Sequence, residues 1–368
     1  MLRQLGESHL EALALGAAVL GTGGGGDPYI GKLLARQAIT ELGPVTVLDP
    51  EDIADDALCA MSAVMGAPTV LVEKPPSGEE QARAFRALER HLGRSITHVI
   101  CAEVGGLNSM LPIVAAARMG LPLVDCDAMG RAFPEIQMST PTLSNIAAAP
   151  MAVADEKGNT VLIEAIDNHW TERLARSACI DMGACAYIAL YVQTGAQVKE
   201  AMIGGTLRLA EDVGRALLDA RAAKVEVPPA VAEPLDGICL FQGKISDVQR
   251  RTEGGFARGQ VVIDGSGPDR GSSLQIQFQN ENLVSTRDGE VVAMVPDLVI
   301  VLEAESGAPI TTEELRYGYR VVVIGAPCNR RWRTAEGLEL VGPRYFGYEI
   351  DYVPVEDLAA RRTERANQ

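Results

Sequence analysis

Apolar residues recur at helical spacing in two runs near the amino terminus, separated by a short segment almost devoid of side chains. Residues 8–20 open with Ser8-His9-Leu10-Glu11, a capping-box pattern, and continue as LEALALGAAVL, which predicts a helix buried on most faces. Gly21-Thr22-Gly23-Gly24-Gly25-Gly26-Asp27-Pro28 follows. Asp27 reads as an N-cap and Pro28 as the first residue of a second helix over 28–42, closed by Gly43-Pro44. Short apolar runs then alternate with helical periodicity. Strands are expected at Val45–Leu48, Ala57–Val64, Thr97–Ala102 and Leu121–Val124, and helices at 78–92 and Ser109–Met119, with Gly66-Ala67-Pro68 as punctuation. This alternation predicts a mainly parallel, doubly wound sheet, with functional loops at the carboxyl ends of its strands.

The pattern changes near residue 150. Ala147–Ala154 and Thr160–Ile166 read as a hairpin, 168–182 and 206–222 as helices, and Ala184–Val192 as a strand between them. After Val227-Pro228-Pro229 the chain turns β-rich. Turns are expected at Glu253-Gly254-Gly255, Asp264-Gly265-Ser266-Gly267 and Arg287-Asp288-Gly289, and short strands at Leu298–Leu302 and Arg320–Ile324. The expected fold class is an α/β N-terminal domain with a mainly parallel sheet over 1–167, followed by a C-terminal α+β domain rich in β-strands over 168–368. No internal repeat is evident, and Ala359–Gln368 reads as a dispensable tail.

At 368 residues the chain is long enough to bury two cores, and with only 4% aromatic residues those cores must rest on Ala, Val, Leu, Ile and Met. A formal net charge of −16 argues against nucleic acid or an anionic membrane as partner. The seven cysteines are odd in number and form no CxxC pair, which suits free thiols in a reducing compartment. The opening MLRQLGESHL lacks the apolar stretch of a signal peptide, and no run reaches the length of a membrane span. A cytoplasmic protein is expected. Its alanine-rich helices suit a homo-oligomer.

Three segments carry candidate chemistry. In the first, glycines around Thr22 let backbone N–H groups approach a ligand, and a loop feeding a helix N-terminus suits an anion. Thr22, Gly23, Gly24 and Gly25 are the candidate contacts. The loop fits neither common nucleotide signature, because a helix precedes it and Lys32 falls too late. The alternative is a tight inter-helix turn that uses glycine for packing. In the second segment, Glu103 stands at a strand end before Gly105-Gly106, and Asn108 or Ser109 reads as a helix cap. A carboxylate there suits general acid–base work or a metal. The third segment places Asp125, Asp127 and Glu135 with Arg131 inside eleven mostly apolar residues. Such crowding raises a pKa or calls for a cation, and Arg131 can neutralise an acid or clamp a carboxylate. A structural ion-pair network is the alternative. Cys126 between two acids makes a poor nucleophile. The four histidines form no HxH or HxxxH pair, which disfavours a histidine metal site, while a divalent metal held by carboxylates stays open. Asp167 or Asn168 reads as a helix cap before His169. Arg330-Arg331-Trp332-Arg333 reads as an edge, an interface or a lid, and Arg344-Tyr345 is equally ambiguous.

Leu20 through Pro28, Glu103 through Ser109, and Leu121 through Glu135 together resemble the S-methyl thiohydantoin desulfurase family, with Met129-Gly130-Arg131-Ala132-Phe133-Pro134-Glu135 the most specific string. The likeness spans essentially the whole chain. It implies hydrolysis at C2 of an S-methylated thiohydantoin ring, in which water adds to an amidine-like carbon and methanethiol leaves. On that resemblance Glu103, Asp125 and Asp127 are expected to move protons or bind a metal, and Arg131 to clamp substrate or orient an acid. The loop at Thr22–Gly26 would donate N–H groups, Asn108 and Ser109 would contact substrate, and Glu135 would support them. The family is often encoded beside, or fused to, hydantoinase/oxoprolinase proteins. Two rival readings follow: a non-catalytic partner subunit of such a complex, and a metal-assisted hydrolase of another cyclic amide.

Overall fold

A computed structural model describes residues 3–66, 70, 77–253 and 256–366, so the expected punctuation at Ala67-Pro68 and the turn at Gly254-Gly255 lie outside the described residues. Helix α1 (Glu7–Leu20) forms, but its cap differs from the expected one. The N-cap is Gly6, whose amide donates to Nδ1 of His9 at 3.1 Å, so the box runs through His9. Glu11 instead pairs with Lys32 of the next helix at 2.6 Å. Helix α2 (Pro28–Leu42) starts as its sequence requires: Oδ1 of Asp27 accepts the Tyr29 amide at 2.9 Å, with Pro28 behind it.

Helix α1 is buried because the helix Thr206–Ala223 lies across it. A Cβ at Gly16 would stand 1.7 Å from the Ala210 carbonyl oxygen, and one at Gly214 would stand 1.8 Å from that of Ala12. The two backbones therefore touch, and no side chain fits at the crossing. Gly16→Val should lower the unfolding free energy by about 3 kcal/mol, read from the denaturant midpoint. An unchanged midpoint would show that the helices are not packed in this way.

The first sheet collects β1 (Arg3–Leu5), β2 (Val45–Leu48), β3 (Leu58–Gly66), β4 (His98–Cys101) and β5 (Leu123–Val124). A two-residue strand, β6 (Cys126–Asp127), leaves it, and β7 (Met151–Ala154), β8 (Thr160–Ile163) and β9 (Cys185–Thr194) complete it. Strand β10 (Ile203–Gly204) pairs with β6 in a separate two-stranded sheet. The spatial order is β1-β2-β5-β4-β3-β9-β7-β8. Strands β2, β5, β4 and β3 run parallel, and the flanking pairs are antiparallel. The α/β domain therefore has a mixed sheet with a parallel core. Strand β9 pairs with β3 along its length, from Leu58 opposite Thr194 to Gly66 opposite Cys185. Its nearly continuous apolar run fits a strand covered on both faces.

The β-rich half forms seven strands: β11 (Ile238–Glu253), β12 (Phe256–Gly265), β13 (Ser273–Gln279), β14 (Glu281–Arg287), β15 (Glu290–Met294), β16 (Leu298–Glu303) and β17 (Arg320–Ala326). Their order is β15-β14-β13-β12-β11-β17-β16, antiparallel throughout. Alternating residues such as Val261, Ile263, Leu274 and Ile276 fill its core. The turn between β14 and β15 needs positive φ at both central positions, and Asp288 (50°) and Gly289 (87°) supply it.

The glycine loop is the seam between the halves. Thr22, itself at φ 46°, donates its hydroxyl to the Val299 carbonyl at 2.9 Å and accepts the Val299 amide at 3.0 Å. The carbonyl of Thr22 accepts the Asn282 amide, and that of Gly23 accepts the Thr312 amide, each at 2.8 Å. Among the described residues, no helix is long and apolar enough to cross a membrane.

Candidate functional site

After β4 the chain runs through Glu103-Val104-Gly105-Gly106 directly beneath the glycine loop. A Cβ at Gly25 would lie 2.5 Å from the Gly105 carbonyl carbon, one at Gly106 would lie 1.9 Å from the Gly26 oxygen, and one at Gly105 would lie 2.9 Å from the Ala132 Cβ. Three loops, at 21–26, 103–109 and 128–133, thus cross where only glycine fits. Beside the crossing is a cavity of about 110 Å³, several times the ~10–15 Å³ that holds one water. Strands β3 and β9 form its apolar wall, and Glu103, Asn108, Glu135, Glu281 and Glu313 supply polar groups. It lies at the carboxyl end of the parallel strands, where an open α/β sheet places its ligands.

Glu103 is buried, and its Oε1 accepts from Nδ2 of Asn108 at 2.7 Å while Oε2 accepts the Phe133 amide at 3.3 Å. Asn108 is fixed in turn by the Val64 amide, which donates to its Oδ1 at 2.7 Å. Burial pushes the Glu103 carboxyl up to about 7, the Asn108 and Phe133 hydrogen bonds oppose this, and the nearby Asp127 charge adds to it. A carboxyl that exchanges its proton near neutrality, on a cavity wall, is suited to general acid–base work.

A second buried carboxyl faces the same space and was absent from the sequence-based set. Glu281 opens β14, and its Oε2 has no hydrogen-bond partner among the described residues. A Cβ at Gly24 would stand 2.0 Å from its Oε1, so the glycine makes room for this carboxyl. Burial holds Glu281 well above the ordinary carboxylate range, Glu103 raises it further and Arg131 opposes. Glu313 is likewise raised by burial. No local motif marks Glu281, since Asn280-Glu281-Asn282 reads as a polar corner between strands.

The other expected site residues separate into two groups. Gly25, Glu103, Asn108 and Glu135 line the cavity, with Glu135 accepting from the Tyr345 hydroxyl at 3.0 Å and from Gln137. Asp125, Asp127, Arg131, Thr22, Gly23, Gly24 and Ser109 are not in its wall. Asp125 accepts the Leu207 and Arg208 amides at 2.9 and 3.3 Å, acting as a remote cap on the helix Thr206–Ala223, with Arg208 and Arg3 at 3.6 and 3.9 Å. Oδ2 of Asp127 accepts three amides, from Val104 (2.9 Å), Met129 (3.1 Å) and Gly130 (2.7 Å), and burial still pushes its carboxyl up to about 6. Arg131 donates to the carbonyls of Ala132, Pro296, Asp297 and Asn282, which occupies four of the five guanidinium N–H groups and leaves no fork for a substrate carboxylate. Ser109 is buried, and its hydroxyl has no hydrogen-bond partner among the described residues. The acidic loop is therefore held mainly by backbone amides, with Arg3 and Arg208 beside Asp125.

Asp127 ties the peptide after Glu103 to the loop at 129–130. Asp127→Ala leaves three buried amides unanswered and should cost about 3 kcal/mol, measured by denaturation. Wild-type stability in this variant would refute the role. Among the described residues, no three or more His, Cys, Asp or Glu side chains are grouped to hold a metal ion. The Cys126 thiol is raised well above its usual value by burial and by its two acidic neighbours. Within the arginine-rich segment, Trp332 is buried, donates Nε1 to the Met129 carbonyl at 2.7 Å and meets the Phe133 ring edge-on at 5.3 Å. Arg333 is engaged by Asp297 and Glu356. Asp167 caps the helix Asn168–Asp181 through the Trp170 amide at 2.8 Å.

The family model described as "S-Me-THD-like, N-terminal domain" matches residues 8–165, and "S-Me-THD-like, C-terminal domain" matches residues 166–355. The chain belongs to this family. An X-ray crystal structure of a protein from Chromobacterium violaceum superposes with a TM-score of 0.78 at 26% identity, covering 96% of this chain and 100% of that one. No protein of curated function matches the chain.

Proposed function

From membership in the S-Me-THD-like family and the geometry of the cavity, we propose that the protein hydrolyses an S-methylated thiohydantoin-type ring, exchanging the thiol at C2 for the oxygen of water. The family description points to desulfurase or hydrolase chemistry, and the ring and leaving group are our reading. Glu103 takes the proton of the attacking water, and Asn108 holds its carboxyl in place. The observation that carries this reading is the position of Glu103: a buried carboxyl poised near neutrality on the wall of a cavity of about 110 Å³. Asp127 serves by orienting the peptide at Val104, and Arg131 by bolting the loop to the second sheet.

The partner-subunit reading expects an exposed apolar face, and Trp170 and Leu174 are exposed one turn apart on the helix Asn168–Asp181, with Ile166 exposed just before it. It gives no reason for two raised carboxyls around one cavity. Incubating the protein with an S-methylated thiohydantoin, and in parallel with the unsubstituted hydantoin, tests the proposal through free thiol. Thiol release from the first ring with hydantoin accumulating is the expected result. Absence of release across a panel of ring substituents would refute the reading.

A further inference from the structure

We propose that Glu281 is a second catalytic residue of this site, a proton donor that works with Glu103 from the opposite half of the molecule, and that Gly24 is there to admit it. The proposal rests on the hydrolase reading above. Three independent observations converge on it. Glu281 and Glu103 line the same cavity. Glu281 is 2% exposed, and its Oε2 has no hydrogen-bond partner among the described residues, an arrangement that is costly for a carboxylate and tolerable for a carboxylic acid. The glycine loop does not donate an N–H to it in a closed cradle. Instead, the missing Cβ of Gly24 leaves the volume that the carboxyl fills, 2.0 Å from where that Cβ would be.

The charged groups around Glu281 support a protonated state. Glu103 and Glu313 share its surroundings and disfavour a further negative charge. Arg131 attracts one, yet its guanidinium is directed to four carbonyls and makes no hydrogen bond to either glutamate. Glu135, Glu172 and Arg176 line the same cavity, and Arg176 is engaged by Glu172. Two carboxyls with different proton affinities in one cavity define an acid and a base.

The proposed cycle balances without a further reactant. Ionised Glu103 takes a proton from water as the oxygen bonds to C2. The C2=N electron pair moves onto nitrogen, which takes the proton of Glu281. On collapse, the now ionised Glu281 accepts the hydroxyl proton of the tetrahedral carbon, the C–S bond breaks with its electrons on sulfur, and Glu103 returns a proton to give methanethiol. Both glutamates end as they began.

The test uses the full chain and five forms: wild type, Glu281→Gln, Glu281→Ala, Gly24→Ala and the double variant Gly24→Ala with Glu281→Ala. Thiol release from an S-methylated thiohydantoin is followed against pH. Wild type should show a rising acid limb and a falling alkaline limb. Glu281→Gln, which fills the same space without a transferable proton, should lower kcat about 100-fold and lose the alkaline limb, with hydantoin affinity within about twofold. Gly24→Ala should lower the denaturation midpoint when Glu281 is present and not when it is combined with Glu281→Ala. An active wild type with a Glu281→Gln variant that keeps its rate and alkaline limb would overturn this proposal alone. Equal cost of Gly24→Ala in both backgrounds would overturn the packing argument. A wild type that releases no thiol would remove the hydrolase reading, and this proposal with it.

Discussion

Glu103→Gln should slow thiol release, lowering kcat by about 10²- to 10⁴-fold, the range of a lost general base. The variant keeps an oxygen for the Asn108 amide and the volume of the side chain, so the cavity survives. Its stability should move in the opposite sense. The folded protein holds the Glu103 proton up to about pH 7, whereas an unfolded chain releases it near 4.5. Between those values the native state binds more protons than the unfolded state, so the stability this group contributes is present at low pH and is lost as pH rises toward 7. Asp127, raised to about 6, acts in the same direction. Wild type should therefore lose stability between about pH 5 and 7.5, and Glu103→Gln should lose less, because the Glu103 share is gone while Asp127 and the other raised carboxyls remain. Denaturation midpoints across that range check the sign, and thiol release checks the activity. A fully active Glu103→Gln enzyme would require another base.

Arg131→Ala should be the most destabilising single change in the loop, at about 4 kcal/mol or more. The side chain is fully buried and donates to four carbonyls, three of them in the second half of the chain at Asn282, Pro296 and Asp297. Its removal leaves those acceptors without donors, withdraws the guanidinium from the Phe133 ring 4.6 Å away and opens a cavity. Arg131→Lys restores the charge without the planar fork and should recover only part of the loss. With typical total stabilities of about 5–15 kcal/mol, Arg131→Ala would bring the protein close to unfolding at ordinary temperature. A denaturant midpoint within error of wild type would show that the guanidinium does not bridge the halves.

Features set by neighbours in sequence were legible from it. Asp27 and Pro28 marked the start of α2, and the parallel strands fell where short apolar runs predicted them. Asp288-Gly289 marked a hairpin because few other pairs accept both φ values. Glu103 stood out as a carboxylate with no capping duty at a strand end, and the structure places it in the cavity wall. Features decided across the fold were not legible. Asp125 and Asp127 were visible as charges in an apolar stretch, but the amides that take them up come from Leu207, Arg208 and Val104. The capping box shifted from Ser8 to Gly6, because His9 takes up the Gly6 amide and Glu11 is drawn to Lys32. The glycine loop read as an anion cradle, yet much of its missing bulk is accounted for by close packing against Gly105, Asn282 and the Glu281 side chain. Glu281 itself could not be found, because its significance depends on Gly24, which local pattern does not connect to it.

The most direct test of the account is the pH dependence of kcat/KM for methanethiol release by the wild-type protein. It should rise through about pH 7 as the Glu103 carboxyl ionises in its buried cavity. A rate already at its plateau by about pH 5, where ordinary carboxylates have lost their protons, would contradict it.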